Sequence, residues 1–207
     1  MMPLILASTS PRRRELLGLL GVPFSVVTPT WEEKSPSSGL VAARLVRCLA
    51  LSKAQAVACR QGGQLVLAAD TMVVFRGQVL GKPASLEEAT QMLTNLRARW
   101  HRVITGVALL GEERMSLGHA QTWVHMRPYT RDELERYLLS GEPLDKAGAY
   151  AIQDPHFRPV DRYLGCYCNV VGLPLALVAS MLRRRGVPVG RKPPLPQCHQ
   201  CPLWAKL

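Results

Sequence analysis

The stretch QLVLAADTMVVF, residues 64–75, places a lone acidic residue, Asp70, between two apolar and β-branched runs. Strands of a sheet that is covered on both faces have this nearly continuous apolar composition. We therefore expect a central, fully buried strand here. Burying a carboxylate is costly unless it is paired, bound to a metal or used in chemistry. Asp70 is thus either a structural, hydrogen-bonded residue or a candidate general base or metal ligand.

Helix and strand patterns alternate irregularly around this central strand. Before it, the sequence predicts strands at 3–7 and in PFSVVTP, a helix from Ser10 to about Gly21 and a helix over about 41–59. After it, we expect a hairpin arm in VLGKP, strands near 102–110 and 116–127, and helices beginning near Ser85, Thr130 and Pro174. The pattern indicates an α/β fold with a mixed sheet.

Composition and charge limit the classes of protein. The chain has 207 residues, of which 47% are hydrophobic and 20% charged, as in globular proteins. Residues 183–207 supply six of the eleven net positive charges. We expect one catalytic domain over 1–186 and a basic, proline-rich, mobile tail over 187–207. No apolar stretch reaches the roughly 18 residues of a membrane span, and the N-terminus lacks the basic region of a signal peptide. These features predict a cytoplasmic protein without a membrane partner.

Six cysteines occupy two isolated positions and two close pairs: Cys48, Cys59, Cys166, Cys168, Cys198 and Cys201. The isolated cysteines are predicted to be small core residues. The last pair, with His199, has the spacing of half a zinc site. The C-x-C pair has a different spacing and lies in an apolar-flanked segment, so the sequence disfavours a zinc site. His101, after a tryptophan, is expected to be a structural histidine.

Several polar residues interrupt apolar elements in ways that suit an anionic ligand. In LILASTSPRRRELL, residues 4–17, two serines, the free N–H groups of a helix start and the arginines Arg12 and Arg13 describe an oxyanion site. Alone, this segment is more simply a solvated basic turn. Lys53 and Lys82 could neutralise a polyphosphate, and the amide of Gln153 suits the edge of a nucleobase.

Five blocks carry a resemblance to a known family: LILASTSPRRRELL, AADTMVV with GQVLGKP, HRVITGVAL, GEPLDKAGAYAIQ and NVVGLPL. In this order, over about residues 3–185, they resemble the Maf family of nucleoside triphosphate pyrophosphatases, the septum-formation-inhibitor-like proteins. The resemblance implies an elongated α/β fold with a mixed sheet, flanking helices and two lobes around a central cleft, similar to the inosine triphosphate pyrophosphatases. It implies hydrolysis of a nucleoside triphosphate to the monophosphate and pyrophosphate with a divalent cation, Mg²⁺ or Mn²⁺. Homodimers are common in the family.

The resemblance also implies roles for individual residues. Ser8, Arg12 and Arg13 match the phosphate-binding signature. Lys53 falls in LALSKAQAV, similar to a lysine-containing block of the family, and Lys82 matches the lysine of GKP.

Acidic residues complete the implied catalytic set. Asp70 matches the proton acceptor of the family. Glu33, with Glu32 as the alternative, matches the acidic residue expected in the loop after the second strand. Asp70 and Glu33 together form the candidate metal ligands.

Specificity is implied by the block DKAGAYAIQ, which resembles the dTTP/UTP subgroup through Lys146, Tyr150 and Gln153. The resemblance makes Arg12, Thr71 and Gln153 the specificity positions. A second subgroup, which prefers 7-methyl-GTP, has a different sequence in this block.

The resemblance therefore implies a pyrophosphatase that acts on dTTP and UTP, with modified pyrimidine nucleotides as further candidate substrates. Two alternatives stay open: a family member that prefers 7-methyl-GTP, and a non-catalytic nucleotide- or RNA-binding protein that uses the same cleft and the basic tail. A buried carboxylate among phosphate-binding cations favours a hydrolase over a binder. Only 6% of the residues are aromatic, which disfavours a nucleic-acid partner because base stacking needs exposed rings.

Overall fold

A seven-stranded mixed sheet forms the centre of the protein, and helices lie on both of its faces. The computed structural model describes residues 3–30, 41–60, 62–190 and 193–206. Within these ranges the strands are β1 (Leu4–Ala7), β2 (Phe24–Val27), β3 (Leu65–Phe75), β4 (Gln78–Leu80), β5 (Trp100–Leu110), β6 (Met115–Met126) and β7 (Val160–Leu164). Their order is β2-β1-β3-β5-β6-β7, with β4 beside β3. The predicted α/β class with a mixed sheet is confirmed.

Helices connect and cover these strands. In the described ranges they are α1 (Pro11–Gly18), α2 (Ala42–Ala58), α3 (Leu86–Leu96), α4 (Arg131–Leu139), α5 (Tyr167–Val171), α6 (Leu175–Arg183) and α7 (Pro196–His199). Short 3₁₀ turns occupy Glu142–Asp145, Ala147–Ala149 and Trp204–Lys206. None of the helices in the described residues is long and apolar enough to cross a membrane.

The predicted helix starts are in place. The Ser10 hydroxyl caps α1 by accepting a hydrogen bond from a backbone N–H of its first turn. Thr130 and Glu133 form a reciprocal capping box at α4. The Ser85 hydroxyl accepts from the backbone N–H of Glu88 at 3.2 Å, which caps α3. Side chains therefore satisfy backbone donors that a helix start leaves unpaired.

Strand β3 has an opening along one of its edges. There it pairs in parallel with β1 up to Ala68 and antiparallel with β4 from Val73 onward. On its other edge it pairs with β5 from Val66 to Val74. Among the described strands, residues 69–72 thus have no sheet partner on the first edge. Asp70 lies in this opening.

Separate hydrophobic clusters lie in the two halves of the molecule. One cluster joins α1 and α6 to β1 and the first half of β3, and Leu17 and Leu67 are fully buried in it. Another joins α3 and α4 to the second half of β3, around Leu93 and Tyr129. These two halves correspond to the lobes around a central cleft that the family resemblance implies.

A glycine allows α2 to approach the sheet closely. Gly106 of β5 lies opposite Asp70 in the register of the sheet. A Cβ atom at Gly106 would lie 2.3 Å from the carbonyl oxygen of Val46 in α2. Glycine is therefore required for this spacing between helix and sheet. Lys53 lies seven residues, about two turns, beyond Val46 in the same helix.

The C-terminal segment differs from the prediction of a mobile tail. Val187, Cys198 and Cys201 are buried in the same cluster as α1 and α6, and Leu203 packs against that cluster. Apolar residues spaced between the prolines give the segment a buried face, and this was not recognised in the sequence. The boundary of the catalytic domain at residue 186 stays a prediction.

Two further expectations need correction. Cys48 and Cys59 are exposed, because they lie on the side of α2 and at its end that face away from the sheet. Strand β7 and helices α5 and α7 were not predicted. These elements contain only five, five and four residues, which is too short for a hydrophobic period to identify them.

We predict that Gly106→Ala destabilises the fold, because the added methyl group would overlap backbone atoms of α2 that cannot move independently. Urea denaturation should show a loss of about 3 kcal/mol, the upper part of the range for overpacked interiors. Gly18→Ala is the control, since nothing lies within 4 Å of a Cβ at that helical position. The control should be neutral or slightly stabilising, and equal stability of the two variants would contradict the close helix–sheet approach.

Candidate active site

A cleft of about 1470 Å³ opens between the two halves of the molecule, where the pairing of β3 is interrupted. Its lining includes most of the residues that the sequence singled out, on α1, α2, β3, the β4–α3 loop and the segment after α4: Arg12, Arg13, Lys53, Asp70, Thr71, Lys82 and Gln153. Glu33 and its alternative Glu32 lie outside the described residues. The structure therefore brings seven of the predicted site residues to one cavity.

The N-terminus of α1 forms one end of the cleft. The Ser8 side chain is buried and accepts a hydrogen bond from the backbone N–H of Ser10 at 3.1 Å. Ser8 therefore shapes the turn into the helix, while Ser10 lines the cavity. The first turn of α1 holds no acidic residue, so the partial positive charge of the helix start and the arginines are available to an anion. Arg14 is exposed.

Arg13 is held in one position by groups on two other elements. Its Nε donates to the carbonyl oxygen of Gly172 at 2.9 Å, and its Nη2 donates to Oγ1 of Thr71 at 3.1 Å. Burial lowers the pKa of Arg13, and the negative charge of Asp70 opposes that shift. Gly172 has a φ of +124°, a backbone conformation that favours glycine. The guanidinium is thus preorganised beside the carboxylate.

The Thr71 hydroxyl belongs to a chain of hydrogen bonds below Arg13. It lies 2.9 Å from the hydroxyl oxygen of Thr105, which donates to the backbone carbonyl of Asn169 at 2.9 Å. The Asn169 amide in turn donates to the carbonyl of Val103. This chain connects β3, β5 and α5. Thr71 therefore supports Arg13 from within the sheet.

Asp70 forms a close ion pair with Lys53, whose ammonium group reaches the carboxylate from α2. Asp70 is 7% exposed. Because successive side chains of a strand point to opposite faces, Asp70 faces α2 while Thr71 faces Arg13. A paired carboxylate and two fixed cations therefore meet at the opening in β3.

The opposite wall of the cleft is an acidic turn around a buried lysine. The ammonium group of Lys146 pairs with Glu142 and lies 2.7 Å from Oδ1 of Asp145. Burial would raise the pKa of Asp145, but the hydrogen bond and charge of Lys146 lower it below its usual value. Arg12 Nη2 lies 3.9 Å from Oε2 of Glu142. Arg12 therefore bridges the two walls.

Two of the predicted residues lie on the exposed rim of the cleft. Lys82 follows β4, and Gln153 follows the turn that contains Lys146. Their exposure leaves these side chains accessible to a ligand that enters the cavity. Rim positions suit groups that contact the outer parts of a substrate.

Sequence reasoning missed three groups that organise the cavity: Glu142, Asp145 and Gly172. The acidic pair occurs in GEPLDK, where carboxylates close to a lysine could have indicated local pairing. The carbonyl of Gly172 holds Arg13 from 159 positions along the chain, and no local pattern indicates such a contact. The glycine before a Leu-Pro pair was the one available signal.

His101 and Tyr150 form a buried polar pair in the half of the molecule that contains α3 and α4. Nε2 of His101 lies 2.7 Å from the Tyr150 hydroxyl oxygen, and Tyr150 lines the cleft. Burial lowers the pKa of His101 to about 3. The imidazole is therefore neutral near pH 7, and the structural role expected for His101 stays a prediction.

A divalent cation fits this site in part. In the described residues no group of three or more Cys, His, Asp or Glu side chains is arranged to hold a metal ion. Mg²⁺ often binds through one or two carboxylates while phosphate oxygens and water complete its shell. Asp70 supplies one carboxylate among cations that suit phosphate. Its position is consistent with a metal that binds together with a polyphosphate.

The family model and the relatives that match this chain point to one family. A family model described as Maf-like protein matches residues 3–185. The dTTP/UTP pyrophosphatase of Thermomicrobium roseum is 52% identical over 206 residues, with 98% of this chain and 94% of the relative covered. That of Symbiobacterium thermophilum is 47% identical over 189 residues, with 91% and 97% covered. A nucleoside-triphosphatase, dITP/XTP pyrophosphatase, from Mycobacterium abscessus superposes with a TM-score of 0.43 at 15% identity, covering 90% and 97% of the two chains.

We predict that His101 makes the protein less stable as the pH falls from 7 to 5. The folded-state pKa is lowered from 6.5 to about 3, so the unfolded chain binds the extra proton in this range. The stabilisation is complete above the unfolded pKa and declines below it. Denaturation at pH 5 should show a loss of about 2 kcal/mol from this group.

His101→Gln should remove that part of the pH dependence, because glutamine does not titrate. His156→Gln is the matched control, since His156 is exposed, and it should keep the wild-type pH dependence. An unchanged slope in His101→Gln would show that the buried imidazole is not the group responsible.

Proposed function

The chain belongs to the Maf-like protein family, and on this premise we propose that it hydrolyses dTTP and UTP to the monophosphate and pyrophosphate. Modified pyrimidine nucleotides are further candidate substrates. The observation that carries the proposal is the buried carboxylate of Asp70 in a cleft whose walls hold several cations. The names of the relatives support the substrate class.

Substrate binding begins with the charge of the triphosphate. Arg12, Arg13 and the N-terminus of α1 form the positive end of the cleft, and Lys82 lies on its rim. Arginine side chains bind phosphate oxygens through paired N–H donors. Because Arg13 is already fixed by Gly172 and Thr71, its donors need little reordering when the phosphates bind.

The reaction we propose is attack of water on the α-phosphorus. The new bond joins the water oxygen to that phosphorus, and the bond to the oxygen that bridges to the β-phosphorus breaks. Asp70 accepts the proton of the attacking water. Pyrophosphate leaves with the electron pair of the broken bond, and Arg12, Arg13 and Lys53 stabilise the negative charge that develops on it.

A bound divalent cation, Mg²⁺ or Mn²⁺, would supply charge neutralisation and a Lewis acid for the phosphates. Asp70 would hold it, and Glu33 stays a candidate second ligand outside the described residues. Lys53 balances the charge of Asp70 at the end of the cleft where the phosphates bind. The carboxylate is thereby kept in the place that the reaction requires.

Recognition of the base is assigned to Gln153. Its amide offers both a donor and an acceptor, which matches the paired carbonyl and N–H groups of uracil and thymine. The family resemblance also implies specificity roles for Thr71 and Arg12. Since the Thr71 hydroxyl holds Arg13, we assign Thr71 to positioning of the phosphate-binding arginine. Arg12, which reaches Glu142, connects the phosphate end with the base end.

We predict that Asp70→Asn lowers kcat for dTTP by at least about 100-fold, the usual contribution of a general base. Pyrophosphate release from dTTP, UTP, CTP, ATP and 7-methyl-GTP should be followed with Mg²⁺ and with Mn²⁺. Wild type should prefer dTTP and UTP, and a chelator should stop turnover. Asp132→Asn, on the exposed face of α4, is the control and should retain full activity.

Nucleotide binding to Asp70→Asn should be measured by calorimetry to separate lost chemistry from lost folding. A folded variant that binds dTTP and hydrolyses it at the wild-type rate would contradict the role of Asp70. A preference of the wild type for 7-methyl-GTP would contradict the assigned subgroup. Binding of every nucleotide without hydrolysis would favour the non-catalytic alternative.

We further predict that Gln153→Ala raises KM for UTP by about 10-fold or more, because two hydrogen bonds to the base are lost. The ratio of kcat/KM for UTP to that for CTP should fall. Gln91→Ala, an exposed position on α3, should change neither value. Unaltered discrimination between UTP and CTP in Gln153→Ala would place base recognition elsewhere in the cleft.

A further inference from the structure

Four buried cysteines from two distant parts of the sequence meet below the cleft. Cys166 precedes α5 and Cys168 lies within it, while Cys198 lies in α7 and Cys201 follows that helix. Their exposed fractions are 1%, 1%, 1% and 4%, and all four belong to one hydrophobic cluster. We refer to these residues together as the thiol cluster.

The spacing of the sulfur atoms suits a shared ligand. The Sγ atoms of Cys168 and Cys198 are 3.6 Å apart. Cys166 and Cys201 lie in the same buried cluster as this pair. A zinc ion bound tetrahedrally by sulfur at about 2.3 Å places its ligand atoms about 3.8 Å from one another. The separation of this pair is close to that value and well above the roughly 2.05 Å of a disulfide bond.

Ligand number and type point to the same ion. Four cysteines are a common ligand set of structural zinc sites, and C-x-x-C is the usual spacing of one half. The sequence disfavoured a zinc site because the C-x-C pair lacks that spacing. In the folded chain, the turn into α5 places the two thiols of the C-x-C pair on the side that α7 covers. This pair thereby supplies the second half of the ligand set. Local spacing could not reveal this arrangement.

Four buried thiols without a bound ion stabilise one another only weakly. A thiol is a weak donor and a weak acceptor. In the described residues no set of three or more potential ligands is already arranged around a metal position. Binding therefore requires rotation of the thiols and loss of their protons to solvent.

We propose that the thiol cluster binds one structural Zn²⁺ ion, which fastens the C-terminal segment to the base of the cleft. Each zinc–sulfur bond replaces a sulfur–proton bond, so four thiolates hold the ion and four protons leave. The site is closed, with no position for substrate. The zinc site is separate from the catalytic cation that the proposed function requires, so either proposal can be correct without the other.

The position of the cluster gives the zinc ion a structural consequence. Helix α5 begins between the first two cysteines and ends at Val171. The next residue is Gly172, whose carbonyl oxygen accepts from Nε of Arg13 at 2.9 Å. The amide of Asn169 in the same helix donates to β5. Fixing α5 from below thus also fixes the acceptor that positions Arg13 at the phosphate end of the cleft.

Metal content of the full chain tests this proposal directly. Protein purified from zinc-supplemented cultures should contain about one zinc ion per chain by elemental mass spectrometry. The double variant Cys198→Ser/Cys201→Ser should contain less than about a tenth of that amount. Cys48→Ser/Cys59→Ser is the matched control, because both of those cysteines are exposed, and it should retain the full zinc content.

A second measurement keeps the test valid if the double variant does not fold. Metal-free wild type, kept reduced, should be titrated with Co²⁺ and should develop the intense visible bands of tetrahedral thiolate coordination, which Zn²⁺ then removes. Removal of zinc should lower Tm by roughly 5–10 °C. The proposal would be overturned if purified wild type contained no zinc and its metal-free form developed no such bands with Co²⁺. An intact mass lower by two hydrogens per bonded pair would identify disulfides instead and would overturn it equally.

Discussion

The pair formed by Asp70 and Lys53 places two charges inside the protein, at the centre of the mixed sheet. Removing such charges from water is costly, and their attraction offsets that cost only when the geometry is close. Several features of the fold serve this geometry. β1 ends and β4 begins on either side of the pair, so β3 has an opening there. Gly106 allows α2, which carries Lys53, to approach within contact of β5.

Arg13 extends this arrangement across the strand. Asp70 faces α2, while Thr71 faces the guanidinium of Arg13, so neighbouring residues of β3 support opposite parts of the site. The third support of Arg13 is the carbonyl of Gly172, which lies at the end of α5. The end of the cleft that we propose binds the phosphates therefore depends on three elements that are far apart in the sequence. The thiol cluster lies at the other end of α5, which makes the C-terminal segment part of the same support.

Local patterns predicted the parts of the structure that local forces determine. The apolar run around Asp70 identified the buried strand, and the hydroxyl residues Ser10 and Thr130 identified helix starts because their side chains satisfy unpaired backbone donors. The candidate site could be predicted only because five separated blocks resemble one family. PRRR alone indicated a solvated turn, and only the resemblance placed Arg12 and Arg13 in a phosphate site.

Contacts between distant residues explain what the sequence could not reveal. The Arg13–Gly172 hydrogen bond and the meeting of the two cysteine pairs depend on how α5 and α7 are placed, and both helices are too short to be recognised by their hydrophobic period. The buried face of the C-terminal segment was hidden by its prolines and basic residues. In each case the information lies in the tertiary packing and not in the spacing along the chain.

In the proposed reaction, the cleft directs water to the α-phosphorus of a pyrimidine nucleoside triphosphate. Hydrolysis of dTTP in water enriched in ¹⁸O, followed by ³¹P NMR of the products, tests it most directly. We expect the heavy oxygen in the nucleoside monophosphate and none in the released pyrophosphate. Heavy oxygen in pyrophosphate, or release of orthophosphate with labelled or unlabelled nucleoside diphosphate, would contradict it.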